Sequence, residues 1–168
     1  MLGLIVSGAL AAAPSAASAA TTYATIHSEC WIREYPPDAT CDQGWIGAIA
    51  IGQTNFGESI ALFGASWSLP TGAEVTDATL RLDIGGSQTV YLGQANNLDW
   101  YTDTWWTWDT SNVDVFTDFS TGVWGTEEVD ITDYVANHAG GGFFGLFADP
   151  GGDFSYVEDI EIEIEYDL

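Results

Sequence analysis

The chain has 168 residues, enough for one domain around a single core, and 46% of them are hydrophobic. Twenty-five carboxylates face two arginines, Arg33 and Arg81, giving a formal net charge of −23. That balance excludes a nucleic-acid binder, which needs a basic face for phosphates, and equally a binder of anionic lipid headgroups.

The first segment, Met1 to Ala20, carries an apolar run at Leu2 to Ala13. It is too short for a membrane-spanning helix, which needs about 20 residues. Pro14 and small residues ending in Ala17-Ser18-Ala19 follow, the pattern of a secretory signal cleaved after Ala19. No Lys or Arg precedes the apolar run, so a second reading stays open. In it residues 1–20 are an apolar segment donated as a strand to a neighbouring copy. In both readings residues 21–168 form a single domain.

Thr21 to His27 reads as a first strand. Cys30 and Cys41 are the only cysteines. In an exported chain such a pair bridges, here closing a loop that holds Pro36 and Pro37. The chain-entropy account gives that closure about 3 kcal/mol. Joined with His27 they would form a zinc site, but the spacing fits no standard zinc pattern.

Period-two alternation between turn residues marks further strands at Trp45 to Ile51, Ser59 to Phe63 and Val75 to Ile84. Val75, Leu80, Leu82 and Ile84 are core candidates. Gly85-Gly86 is expected to turn the chain into a hairpin with Gln88 to Leu92. Weaker strands lie at Val113 to Phe119 and Glu127 to Ile131. One short helix follows, capped by Asp130 with Asp133 completing an imperfect capping box. Its apolar stripe is Ile131, Tyr134 and Val135, and Gly140 to Gly142 ends it. Phe143 to Ala148 is a strand, and Asp149-Pro150-Gly151-Gly152 a turn.

The last segment alternates without a break from Asp159 to Asp167. Ile160, Ile162, Ile164 and Tyr166 share one face, and five acids share the other. So many like charges repel, and high salt, acid or bound cations would relieve them. A halophilic or acidic source fits this surface, as does a merely soluble acidic exoprotein. Many short strands with one short helix in the C-terminal third predict an all-β fold, a jelly-roll β-sandwich.

The order of motifs after Gln53 resembles a known family. It runs Thr54-Asn55-Phe56-Gly57-Glu58, then Ser68-Leu69-Pro70-Thr71-Gly72-Ala73. Val75-Thr76-Asp77-Ala78-Thr79-Leu80-Arg81-Leu82 follows, then Trp100 and Thr107-Trp108. Val129-Asp130-Ile131-Thr132-Asp133-Tyr134-Val135 and Gly145-Leu146 close the series. Over about two-thirds of the chain this is similar to the DNRLRE-type, or disaggregatase-related, domain and to alginate-type carbohydrate-binding modules. The resemblance implies a jelly roll on exported proteins, without catalysis of its own, and core positions for Trp100 and Trp108. Two arginines suit a polyanionic glycan poorly, so a neutral or cation-bridged glycan is the expected ligand.

The densest cluster for such a ligand runs from Trp100 to Asp109. Sugar C–H faces stack on exposed aromatic rings, and carboxylates accept hydroxyl hydrogen bonds. Tyr101, Asp103, Trp105, Trp106 and Asp109 are therefore the candidate carbohydrate or interface residues. By strand parity Trp105 points opposite to Trp106 and Trp108. The same residue types also build subunit contacts and cores. Asp149, Asp153 and Asp159 are candidate calcium ligands, and calcium is the one cofactor left open. No catalytic residue is nominated. His27 and His138 are the only histidines, no serine lies in a nucleophile elbow, and the neighbours Glu127 and Glu128 point to opposite strand faces.

The expectation is a secreted or cell-surface, non-catalytic module for extracellular carbohydrate binding or adhesion, with no nucleic-acid partner and no membrane insertion after processing. The alternative is a structural subunit of a filament, virion or surface layer whose partners are copies of itself, assembled through the apolar N-terminal segment.

Overall fold

The computed structural model describes residues 18–34, 49–55, 57–99, 103–104, 107–149 and 153–168, and of Ser28 the backbone alone. The apolar run at 2–13 and the loop with Pro36, Pro37 and Cys41 lie outside these residues.

The described chain is all-β with one short helix. In order come β1 (Ala20–Tyr23), β2 (Thr25–Arg33), β3 (Ile49–Thr54), β4 (Gly57–Ser66), β5 (Glu74–Gly85) and β6 (Thr89–Ala95). A single 3-10 turn, Thr110–Asn112, precedes β7 (Val113–Ser120) and β8 (Gly125–Asp130). Helix α1 (Thr132–Asn137), β9 (Gly141–Ala148) and β10 (Phe154–Asp167) complete it.

The strands run in the order β7-β6-β9-β4-β3-β10-β5-β8, every pairing antiparallel. The short β1 pairs with β10, whereas β2 pairs with β4. The switch falls at Ala24, whose N–H donates to the Ile162 carbonyl at 2.9 Å. Residues 20–33 thus tie the two halves of the sheet together, and the sheet curls over one core in a β-sandwich-like fold. Inward side chains of β5 (Leu80, Leu82, Ile84) and β10 (Val157, Ile162, Ile164) meet those of β4 (Phe63), β6 (Val90, Leu92) and β9 (Phe144, Leu146).

Strand β4 is buried on both faces. Ala61, Phe63 and Ala65 point into the main core. Ile60 and Leu62 point the other way, into a second cluster with Cys30, Ile32, Ala95, Trp108 and Val113. A strand covered on both sides reads as a continuous apolar run, as Ile60-Ala61-Leu62-Phe63 does.

In β10 the isoleucine alternation holds, with Ile162 and Ile164 fully buried and Glu161 and Glu165 exposed. Further upstream the parity is reversed, because Ser155 and Val157 are the buried residues there. A bulge between Glu158 and Ile160 makes the change, with Asp159 at φ 39°.

Two expectations are corrected. Gly85-Gly86 does not make a hairpin. β5 pairs with β8 and β10, and β6 pairs with β7 and β9, so the turn carries the chain from one half of the sheet to the other. Both edges of each strand are already taken, which leaves none for the hairpin. Second, Asp130 is not the helix cap, because it is still the last residue of β8. Ile131 holds the capping position without a side-chain bond, and Asp130 Oδ1 instead accepts from the Thr132 N–H at 2.9 Å. Of the strand expected at Trp45 to Ile51, residues 49–51 lie in β3, and 45–48 are outside the described residues.

The helix stripe is as expected, since Ile131, Tyr134 and Val135 are buried in the main core. Thr132 docks α1 onto β5, its hydroxyl accepting from the Ala78 N–H at 2.9 Å.

Candidate carbohydrate-binding surface

Between β6 and β7, Leu98 and Trp108 pack into the second cluster. Tyr101, Trp105 and Trp106, and also Trp100, lie outside the described residues. Trp108 is 2% exposed, and its indole N–H donates to the Asn96 carbonyl at 2.8 Å. A core place for Trp108 is what the family resemblance implied.

The two candidate carboxylates of this segment, Asp103 and Asp109, serve the chain itself. Asp103 accepts from the Asp99 N–H at 2.6 Å and from the Thr107 hydroxyl at 3.1 Å. Asp109 Oδ1 accepts from the Ser111 N–H at 2.8 Å and from its hydroxyl at 2.6 Å, capping the 3-10 turn. Hydroxyls of a ligand would compete with these bonds.

The three candidate calcium ligands occupy different settings. Asp149 accepts from the Tyr91 hydroxyl at 2.9 Å, and this bond holds the Tyr91 pKa above its usual value. Asp159 forms the bulge in β10, and Asp153 is exposed beside the undescribed 150–152. Among the described residues no group of three or more His, Cys, Asp or Glu is placed to hold a metal ion. Cys30 is buried and is not a free thiol, and Cys41 lies outside the described residues. His27 is exposed, its ring edge-on to Phe143 at 6.0 Å.

Exposed aromatic rings gather elsewhere, at one end of the outer face of β5 and β10. Tyr156 and Gly85 are direct cross-strand partners, so the Tyr156 side chain and the direction of a Gly85 Cβ share a face. The Trp124 ring lies over Gly85, and a Cβ at that position would run into its six-membered ring. Glycine is what lets the indole lie against the strand. Phe154 stands two residues before Tyr156 on the same strand and meets it edge to face, with centroids 5.2 Å apart at 76°. Trp124 is 52% exposed, Phe154 47% and Tyr156 41%.

Carboxylates border this row. Glu158 and Asp83 are the next outward pair along β10 and β5. Asp83 accepts from the Thr126 hydroxyl at 2.6 Å. Beyond them Arg81 pairs with Glu128 at 3.0 Å, with Glu161 at 3.2 Å, and with Glu163. The hydrogen bond to Glu163, followed by those to Glu128 and Glu161, raises the Arg81 pKa. Three carboxylates thus surround one guanidinium, held at its Nε and Nη1. The other arginine, Arg33, sits over the Trp31 ring at 5.3 Å, on β2 and away from this face.

A second aromatic feature joins β7 to α1. Phe116 stacks on Tyr134 at 5.2 Å, and Tyr134 stacks on His138 at 4.0 Å. A cleft of about 680 Å³ lies there, bordered also by Asp77, Asp130, Asp133 and Asn137. His138 follows α1, with its Nδ1 2.7 Å from the Tyr134 carbonyl. Burial raises the Tyr134 pKa.

No signal within one sequence window marks the Trp124 row. Gly85, Trp124 and Tyr156 come from three distant segments, and only strand pairing brings them together. The one hint was compositional: Trp124 stands apart from the tryptophan cluster, between Gly122 and Gly125.

Among the described residues no helix is long and apolar enough to cross a membrane. Compared with known proteins, the chain matches no family model and no curated protein sequence.

Proposed function

We propose that this chain is an exported, non-catalytic module that binds extracellular carbohydrate, in keeping with its resemblance to DNRLRE-type domains. The observation that carries this reading is the row Trp124, Tyr156 and Phe154, three rings left in water on one sheet face. An exposed apolar patch rimmed by polar groups marks an interaction site. Aromatic faces beside acceptor carboxylates have the chemistry that sugars require. The expected Cys30–Cys41 bridge, a signal cleaved after Ala19 and the jelly-roll topology belong to the same proposal. Cleavage at that point would leave Ala20, the first residue of β1, as the N-terminus.

Pull-down on insoluble cellulose, chitin, mannan and starch tests the reading, with tryptophan fluorescence to follow soluble oligosaccharides. Retention on at least one matrix, reversed by its oligosaccharide, is the expected result. No retention and no spectral change with any of them would sink it.

Assembly into a filament or surface layer is the second reading. It draws on β7, which pairs only with β6 among the described strands and carries the exposed Val115 and Phe116. Concentration-dependent polymerisation that stops when residues 1–19 are removed would favour it. A monomer at all concentrations would not.

A further inference from the structure

We infer that the Trp124–Tyr156–Phe154 row is the binding surface itself, that it takes an extended neutral polysaccharide chain, and that it rejects uronate polymers. This rests on the carbohydrate-binding reading above and specifies its site and ligand class.

The site's form comes first. The rings lie along a sheet face and do not line a pocket. Crossing from β5 to β10 covers about 5 Å, and the step from Tyr156 to Phe154 adds about 7 Å along the strand. The row is therefore longer than a single sugar ring. A surface of this kind suits a segment within a chain and offers nothing to enclose a terminal residue. Gly85 is the positioning residue, because any side chain there would lift the Trp124 ring off the strand.

The ligand's charge comes next. Asp83 and Glu158 border the row, and Glu128, Glu161 and Glu163 continue the acidic face beyond them. The one cation on that face, Arg81, already holds three carboxylates. A uronate chain would bring its carboxylates against this border with no free cation to meet them. A second copy of the protein, also at −23, would meet the same repulsion. A neutral chain can stack its C–H faces on the rings while its hydroxyls donate to Glu158 and to the Asp83 oxygen that Thr126 does not take. The occupant that fits both the shape and the charge is a neutral glycan.

Native affinity gels provide the test. The full chain is run through hydroxyethylcellulose, mixed-linkage β-glucan, galactomannan or alginate, at low and high salt. Wild-type protein is expected to be retarded by at least one neutral polymer and not by alginate. Trp124→Ala is expected to weaken that binding about tenfold, the factor given by ~1.4 kcal/mol. Gly85→Ala is expected to weaken it similarly, although Trp124 is still present. Phe154→Ala supplies the same reading at an exposed site should Gly85→Ala fail to fold.

Three results would overturn the inference in different ways. Retardation by alginate as strong as by any neutral polymer rejects the ligand class and leaves the carbohydrate reading standing. Neutral binding unchanged in Trp124→Ala and Phe154→Ala rejects the site alone. Retardation by none of the polymers rejects the carbohydrate reading, and this inference with it.

Discussion

Trp108 and Trp124 lie sixteen positions apart and do opposite things. Trp108 sits at 2% exposure in the second cluster, with its indole N–H bonded to Asn96. Trp124 lies at 52% exposure over Gly85, on a face open to solvent. The acids around them differ in the same way. Asp103 spends both side-chain oxygens, and Asp109 its Oδ1, on their own loop. Glu158 stands on the outer face beside the aromatic row. A crowd of tryptophans and aspartates in sequence therefore signals a loop that must be held down as readily as it signals a site. What separates the two cases is whether the ring is buried with its N–H bonded or left exposed on a sheet face.

The largest expected difference between these regions is in stability. Trp108→Ala removes the largest fully buried side chain among the described residues and takes the indole donor from the Asn96 carbonyl. It should cost about 3–5 kcal/mol, by the scale for truncating buried aromatics. Urea unfolding monitored by circular dichroism would measure it. A loss below ~1 kcal/mol would mean that the loop does not depend on this anchor.

Asp109→Ala comes second. It deletes the acceptor for two Ser111 donors and should cost about 1 kcal/mol, as for other lost caps. It should leave retention on neutral polysaccharide unchanged, because the proposed site lies on the outer face of β5 and β10. A binding loss without a stability loss would move the site back to segment 96–112. Trp124→Ala should give the reverse pattern: a stability change within about 0.5 kcal/mol, as for surface positions generally, with binding weakened.

The sequence carried the fold class because period two survives wherever one strand face is wet. Val75 to Ile84 and Ile160 to Tyr166 are of that kind, and their buried residues were readable. It failed where pairing is non-local. Gly85-Gly86 has the composition of a hairpin, but the partners of β5 and β6 are other strands. The site was less readable still. Trp124, Gly85 and Tyr156 come from three segments, and no window of sequence contains them together. Tyr101, Trp105 and Trp106 lie outside the described residues, so the structure bears only on Asp103 and Asp109 among the five candidates.

A smaller effect separates paired from unpaired acids on the outer face. Arg81→Gln removes the one guanidinium facing Glu128, Glu161 and Glu163. The melting temperature should fall at low ionic strength. The difference from wild type should shrink in 1 M salt, where the Debye length is about 3 Å. A difference independent of salt would mean that Arg81 acts through packing of its stem and not through charge.

The smallest effect is at Asp130, and it puts the occupied and unoccupied carboxylates in direct competition. The Thr132 side chain, followed by its N–H, hydrogen-bonds the ionised Asp130 and lowers its pKa below the usual 3.8. A carboxylate whose folded pKa is depressed contributes stability that is complete above the unfolded value. That contribution fades as the pH falls below 3.8 and through the lower folded value. Asp130→Asn should therefore melt below wild type at pH 6, and the gap should close towards pH 2. Over the same range the acidic face loses its charge and its self-repulsion, which favours the fold. The two trends oppose each other in wild type, but only the first distinguishes wild type from Asp130→Asn to any extent. Melting curves of both proteins between pH 2 and 6 isolate it by difference. A gap that widened on acidification would mean that Asp130 is held by a bond to its protonated form, contrary to the geometry at Thr132.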